Sequence, residues 1–458
     1  MNTFDLGKIP ENGKIHFIGI GGISMSGLAE IMLGRGYSVS GSDITETHIT
    51  QKLRSLGAEI CIGQCAGNIK DCDLVVYTAA IREDNPEFAE AKRRGILMIE
   101  RPTLLGSVMK YFKYAVAVSG THGKTSTTSM MTHIMLSSGC DPTVSIGGEL
   151  PAIGGNIRVG KSDYFLCEAC EYHQSFLEFF PYISIMLNIE EDHLDYFSGL
   201  DHIIDTFRSL ALLTPDDGAV VANYDDENVR RTLKDTGKRV ITCSVKGDAD
   251  YTVKNVVFND RGCGGFDVFE KGEFLGRAVL SVPGMHNVSN AVCSIAASRY
   301  LGFPFEKIRA GLLSYGGVDR RFQLKGTKDG VTVIDDYAHH PTEINATLST
   351  VENMSYKNVW CVFQPHTYTR TKTLYDDFVK VLSRDINIII IDIYAAREPD
   401  TGLVSSRQLA GDIKGAVYIP DFESTVKFLK ENAKDGDLIL TMGAGTVFKI
   451  GNMFLGSC

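Results

Sequence analysis

The sequence predicts an α/β protein made of three successive open-sheet domains, and three observations predict it. Short apolar runs recur along the chain, each ending in glycine or polar residues and separated by helical stretches, which is the layout of parallel sheets with ligands at their carboxyl rim. Two of these runs pass directly into glycine turns that open helices, at Gly19-Ile20-Gly21-Gly22 and at Gly120-Thr121-His122-Gly123. A length of 458 residues, at roughly 150 residues per domain, suggests about three hydrophobic cores.

Bulk composition narrows the function classes. A hydrophobic content of 44% with 22% charged residues is that of an ordinary globular protein. The formal net charge of -10 argues against nucleic acid as a partner, because that binding is driven by clustered cations. The 11 cysteines are scattered in a chain too large to need disulfides, which fits a reducing compartment. Cys167 and Cys170 form a Cys-x-x-Cys pair with no second pair at zinc-ligand spacing. Residues Met1 to Asn12 are polar, without the apolar centre of a signal peptide. The strongest apolar run, Ile388 to Ile391, is cut by Asp392 and falls far short of the roughly 20 residues of a membrane span. The expectation is a soluble, cytoplasmic protein with no membrane partner.

In the first domain, residues 1–113, the run Lys14 to Ile18 reads as a strand entering the turn Gly19-Ile20-Gly21-Gly22. A helix carrying Met25, Leu28, Ala29 and Met32 follows, then a strand from Val39 to Ser42 that ends at Asp43. This is a Rossmann-like β-α-β unit. Asp43 lies about 20 residues past the turn, where such a fold places a ribose-binding acid. Ser24 stands where the third glycine of the dinucleotide fingerprint would be. Leu74 to Thr78, with Ala79 after it, is a further strand with small residues at its ligand-facing end. Gly19, Gly21, Gly22, Ser24, Ser42, Asp43, Thr78 and Ala79 are the candidate residues of this rim, and a diphosphate is the natural ligand of the turn.

The second domain, residues 114–322, opens with the strand Tyr114 to Val118, the loop Gly120-Thr121-His122-Gly123-Lys124-Thr125-Ser126 and a helix over Thr127 to Leu136. This is a P-loop ATPase-like arrangement. Backbone N–H groups and a helix N-terminus solvate a polyphosphate. Lys124 reaches its outer phosphates, and the Thr125 hydroxyl suits a magnesium ion. The strict motif has glycine where this chain has Val118. Further strands, Tyr164 to Cys167 and Tyr182 to Leu187, deliver Glu168 and Glu171, and then Asn188 to His193, to the same kind of rim. Glu171 reads either as a metal ligand or as an acid on that rim. Gly218 to Asn223 and Val240 to Ser244 are two more strands, and residues 248–282 read as an antiparallel insertion. Pro283 to Asn290 opens a helix on which His286 and Asn290 share a face. Asn287 and Asn290 suit an adenine edge, since an amide both donates and accepts, although asparagine also caps helices.

The third domain, residues 323–458, shows four strand candidates: Val331 to Ile334, Val359 to Phe363, Ile386 to Ile391 and Leu438 to Met442. They end respectively at Asp335 to Pro341, Gln364-Pro365-His366, Asp392-Ile393-Tyr394 and Gly443 to Thr446. A Rossmann-like sheet is expected here as well.

Taken together, Gly120 to Thr125, Asn188 to His193, His286 to Asn290, Arg320-Arg321-Phe322 and Asp336-Tyr337-Ala338-His339-His340-Pro341 resemble the Mur ligases of peptidoglycan synthesis. Gly19 to Gly27 and Phe363 to Thr371 are similar to the member that adds the first amino acid. The resemblance covers nearly the whole chain. It implies an amide bond made at the expense of ATP, between the carboxylate of UDP-N-acetylmuramate and L-alanine, through an acyl phosphate; the sequence leaves open whether the chain is a monomer or homodimer. It implies two magnesium ions, with Thr125, Glu168 and His193 as ligands, and Lys124, Glu168, His193, His339 and Arg370 in the chemistry. Arg321 would touch phosphates and Asp336 the ribose, while Tyr337, His339 and Arg370 would hold the amino acid. It also moves the first-domain turn from a nicotinamide cofactor to the uridine diphosphate of the substrate. Relatives often read Glu-Ala-Asp-Glu-Ser where this chain has Glu168-Ala169-Cys170-Glu171-Tyr172, and many carry arginine at Thr367, leaving Arg370 as the guanidinium of that motif. The rival readings are a ligase that recycles a preformed peptide onto the same nucleotide sugar and a nicotinamide-dependent dehydrogenase using the first glycine turn.

Overall fold

Three sheets carry the chain, and in the computed structural model they are described for residues 4–194, 196–396, 398–400 and 402–456. The first contains β1 (Lys14–Ile18), β2 (Ser38–Asp43), β3 (Glu59–Ile62), β4 (Leu74–Tyr77) and β5 (Leu97–Glu100), in the order β3-β2-β1-β4-β5 and parallel throughout. Ile15, Phe17 and Ile18 of β1 are all fully buried, as expected of a central parallel strand covered on both faces. The chain moves from β1 to β2 on one side and reaches β4 on the other, so β1 marks the switch point where ligands bind in open sheets.

The second sheet comprises β6 (Tyr114–Ser119), β7 (Thr143–Leu150), β8 (Gly155–Arg158), β9 (Tyr164–Glu168), β10 (Ile183–Met186), β11 (Ala219–Asn223), β12 (Val240–Ser244), β13 (Tyr251–Phe258), β14 (Cys263–Glu270) and β15 (Glu273–Pro283). Its order is β15-β14-β13-β12-β11-β10-β6-β9-β7-β8. The buried run Ala115 to Val118 puts β6 between β9 and β10, both parallel to it. The glycine loop after β6 therefore sits at the switch point of this sheet. Lys271 and Gly272, both at positive φ (50° and 85°), form the two-residue turn of the β14–β15 hairpin, matching the antiparallel insertion expected there.

The third sheet holds β16 (Gln323–Lys328), β17 (Val331–Asp336), β18 (Val359–Phe363), β19 (Asn387–Ile390), β20 (Val417–Tyr418) and β21 (Leu438–Met442), in the order β16-β17-β21-β18-β19-β20. Only β16 pairs antiparallel among the registered pairs of this sheet.

One apolar cluster runs from the first sheet into the second, joining Leu104, Val108 and Met109 to Phe165, Phe176 and Phe179 across residue 113. Gly106 permits this contact, because a Cβ there would run into the Glu178 carbonyl. By internal contacts the chain forms two units. One is residues 1–254, 267–277 and 289–314; the other is 255–266, 278–288 and 315–458. Among the described residues no helix is long and apolar enough to cross a membrane.

Candidate active site

Within the first unit, the loop after β6 is shaped by its glycines. Gly120 (φ 139°) and Gly123 (φ 85°) hold conformations that disfavour side chains. A Cβ on Gly120 would lie 2.9 Å from the Leu187 Cβ, and one on Gly123 would lie 2.9 Å from Asn290 Oδ1, so Asn290 stands directly over the loop. Asn188 clamps the loop from the end of β10: its Oδ1 accepts the His122 N–H at 2.7 Å and its Nδ2 donates to the His122 carbonyl at 3.0 Å. Thr121 is held as well, its Oγ1 accepting the Glu190 N–H at 2.9 Å, and His122 Nε2 lies 3.4 Å from Glu190 Oε2. Asn188 and Glu190 hold the loop from a distant part of the sequence, marked there by their place at a strand end and in the stretch Asn188 to His193 that carries the family resemblance. Ser126 follows in the first turn of the helix Lys124–Ser137.

Lys124 folds back over this loop. Its Nζ donates to the carbonyls of Gly120 (2.5 Å) and Thr121 (3.1 Å) and to both oxygens of Glu171 (3.0 and 3.2 Å). Burial alone would lower the ammonium pKa, but the buried Glu171 carboxylate, with smaller contributions from Cys170 and Glu168, outweighs it and holds the group above its ordinary value, firmly cationic. Glu171 is thus the ion-pair partner of Lys124, a contact that neither reading of it, as metal ligand or as rim acid, had named.

Thr125 and Glu168 are brought together, as a shared metal would require: Thr125 Oγ1 lies 3.1 Å from Glu168 Oε2. Glu168 Oε1 accepts the Gly147 N–H at 2.6 Å, and a Cβ on Gly147 would press on the carboxylate at 2.9 Å. Two hard oxygen donors beside a phosphate loop fit magnesium. His193 sits at positive φ (53°) with its backbone N–H on Asp192 Oδ1 (2.8 Å) and its ring 4.5 Å from that of Tyr172. The Cys167 and Cys170 thiols are both pushed up by burial, the opposite of what a thiolate ligand or redox pair needs.

The rim of the first sheet also belongs to this unit. Gly22, Ser24 and Ala79 are exposed there, while Gly19, Gly21, Asp43 and Thr78 are half-buried. Asp43 Oδ2 accepts the Gly21 N–H at 2.8 Å, so the expected ribose acid also braces the turn. Ser42 is fully buried, and its hydroxyl points inward to Glu87 at 2.6 Å. Its contribution to the rim is made through its backbone.

In the second unit, Tyr337, His339, His366 and Arg370 follow one another in a chain of contacts. The Tyr337 and His339 rings are 5.4 Å apart, His339 and His366 are 5.8 Å apart, and Arg370 Nη1 lies 3.1 Å from His366 Nδ1. His366 is the member of this set that the sequence reading did not select. Glu343 ties the group together, lying 3.3 Å from His339 Nδ1 and 3.6 Å from Arg321 Nη1. Arg321 and Arg320 both lie over the Tyr337 ring, at 5.1 and 4.8 Å. Asp336 accepts from the Ala338 N–H (2.8 Å) and the Thr347 hydroxyl (3.1 Å), and burial pushes its pKa up to about 6. His286 is forced down to about 4 by burial, so its ring is neutral. It borders a cavity of about 210 Å³ that Phe258, Met285, Asn345 and Thr350 also line. Asn287 Nδ2 is fixed on the Pro283 carbonyl at 2.7 Å, leaving a buried Oδ1 with no hydrogen-bond partner among the described residues.

Three family profiles match in sequence: "Mur ligase family, catalytic domain" over residues 14–113, "Mur ligase middle domain" over 118–298 and "Mur ligase, glutamate ligase domain" over 320–445. A protein named UDP-N-acetylmuramate–L-alanine ligase from Acetivibrio thermocellus is 54% identical over 96% of this chain and 95% of its own length. One of the same name from Caldanaerobacter subterraneus subsp. tengcongensis is 50% identical over 96% and 97%. Among solved structures, the UDP-N-acetylmuramate-alanine ligase of Thermotoga maritima is 30% identical and superposes with a TM-score of 0.79, covering 97% of this chain and 98% of the other. The chain belongs to the Mur ligase family.

Proposed function

We propose that this chain is a ligase that consumes ATP to join L-alanine to the carboxylate of UDP-N-acetylmuramate, giving UDP-N-acetylmuramoyl-L-alanine, ADP and phosphate in the cytoplasm. The observation that supports it most directly is the phosphate loop after β6 with Lys124 above it and the Thr125–Glu168 oxygen pair beside it. The full-length likeness to relatives named for this reaction supports the choice of substrates. The working division of the chain is 1–113 for the UDP-sugar, 114–322 for ATP and 323–458 for the amino acid.

A carboxylate oxygen attacks the γ-phosphorus, and ADP departs with the electron pair of the broken P–O bond. The neutral amine of alanine then attacks the acyl carbon, phosphate leaves, and the amine nitrogen loses its proton. The first step brings two anions together, so positive charge must be fixed in advance. Lys124 supplies it at the outer phosphates, aided by the N–H groups of Gly120 to Ser126. Thr125 and Glu168, with His193, would hold magnesium, which would supply further positive charge at this site. The neutral His286 ring and the unpartnered Asn287 Oδ1 suit a purine with an exocyclic amine, and Asn290 stands over the loop as a further reader. Arg321 is assigned to phosphate and Asp336 to the ribose. Tyr337, His339 and Arg370 hold the amino acid, the guanidinium fork matching a carboxylate.

The test is phosphate release with ATP, magnesium and UDP-N-acetylmuramate, single amino acids being supplied in turn and products weighed. L-alanine should give release and a product heavier by one alanyl residue. Equal release with glycine, aspartate or lysine would defeat the assignment. Supplying a preformed peptide in the same assay separates this reading from peptide recycling.

A further inference from the structure

Beneath the rim of the first sheet lies a buried polar cluster to which the reaction assigns no task. Glu87 is fully buried at the start of the helix Pro86–Arg94, and Asn85 caps that helix by accepting the Glu87 and Phe88 N–H groups. Its carboxylate is met by donors from three directions. Ser42 Oγ donates to Oε2 at 2.6 Å, Asn68 Nδ2 donates to Oε1 at 2.5 Å, and His16 Nε2 lies 3.4 Å from Oε2. Burial alone would raise the carboxyl pKa, but these three hydrogen bonds together with the His16 charge outweigh it and hold the group below its usual range, so Glu87 is ionised. Only an acceptor without protons of its own can serve three donors at once.

Two of those donors lead directly to the diphosphate turn. The Ser42 carbonyl accepts the N–H groups of Gly19 and Ile20, both at 2.9 Å. Asn68 Nδ2 also donates to the Gly63 carbonyl at 2.9 Å, and the Gly63 N–H reaches the Asp43 carbonyl at 2.8 Å. Asp43 in turn holds the Gly21 N–H. A single carboxylate therefore anchors the ends of β2 and β3, and through them both sides of the turn Gly19 to Gly22.

We infer that Glu87 is a positioning residue for the UDP-sugar: it touches no substrate but fixes, through Ser42 and Asn68, the backbone that receives the diphosphate. The inference rests on the assignment of the UDP-sugar to this rim. Glycine turns gain phosphate affinity by presenting N–H groups without reorganisation, and a turn of glycines cannot supply that rigidity itself.

The test uses the full chain and Glu87→Gln, which keeps shape but places an N–H donor among donors, with Glu87→Asp as the conservative control. Hydrogen exchange of the peptide spanning residues 15–24 reads the turn without any ligand. Titration with UDP-N-acetylmuramate and, separately, with ATP reads its consequence. The expected result is faster exchange in that peptide and UDP-sugar binding weakened about tenfold, with ATP affinity unchanged and partial recovery in Glu87→Asp. Unaltered exchange in the turn, or equal losses for both ligands, would overturn the inference. Failure of the parent protein to bind UDP-N-acetylmuramate would instead remove the substrate assignment, while the exchange measurement would still decide whether Glu87 holds the turn.

Discussion

Lys124 Nζ lies 3.0 Å from Glu171 Oε2 across the mouth of the phosphate loop, with both side chains largely withdrawn from water. The lysine assigned to the outer phosphates is thus held cationic by an acid three residues past the strand that ends at Glu168. Replacing Glu171 by glutamine leaves a partly buried ammonium with only carbonyl partners. Such unpaired charges destabilise by about 3 kcal/mol, and the Lys124 pKa should fall because its main raising charge is gone. Glu171→Gln should lower the melting temperature and bring the alkaline fall in turnover to lower pH. An alkaline limb that stays in place would show that Glu171 does not tune the lysine.

The Thr125–Glu168 contact leads to a separable expectation about the metal. Thr125→Val removes one oxygen and Glu168→Gln weakens the other, so each should raise the magnesium concentration needed for half-maximal turnover on the order of tenfold. Magnesium titrations at saturating ATP read this. A lowered maximal rate at unchanged magnesium dependence would point to some other role for the pair.

Asp336 carries a signature in stability. Its pKa rises from the ordinary 3.8 to about 6 in the folded chain, chiefly through burial. The unfolded chain ionises first as pH rises, so the fold is favoured below pH 4 and loses about 3 kcal/mol from this group between pH 4 and 6. Asp336→Asn should remove that decline. Urea midpoints measured across pH 4 to 7 for both proteins check the sign, and parallel curves would refute it.

Gly123→Ala puts a methyl group 2.9 Å from Asn290 Oδ1 on a backbone at φ 85°. The strain alone is about 1 kcal/mol, but the displaced loop should weaken nucleotide binding more than it weakens the fold. Calorimetric titration with ATP beside a melting curve distinguishes the two effects.

Arg370→Lys keeps the charge and loses the fork. The Michaelis constant for alanine should rise on the order of tenfold with that for ATP unchanged. Equal changes in both would remove Arg370 from the amino-acid site.

What was legible in the sequence follows from how strongly burial writes itself into residue type. Central parallel strands such as β1, β6, β10 and β21 are apolar on both faces, so they stand out as runs, and the glycine turns after β1 and β6 mark the ligand rims. The strands β3, β5, β7, β8, β16 and β20 left no such record. β16 is an edge strand whose Leu324 is 64% exposed, and β7 contains Gly147 and Gly148 where the chain yields to Glu168. The same limit applies to the site. Lys124, Thr125 and Glu168 belong to motifs whose chemistry is local, whereas Glu87 acts through Ser42, 45 residues away, and Asn188 through His122, 66 residues away. Ser42 shows the converse: its position at the strand end was legible, but the inward turn of its hydroxyl depends on Glu87, which no local pattern connects to it.

The central claim is that a substrate carboxylate takes the γ-phosphoryl group before the amine attacks. It is tested most directly with UDP-N-acetylmuramate carrying oxygen-18 in its lactyl carboxylate, turned over with ATP, magnesium and L-alanine. An acyl phosphate transfers one carboxylate oxygen to each phosphate released, so the account predicts phosphate bearing a single heavy oxygen. Phosphate free of label, formed alongside the alanyl product, would contradict it.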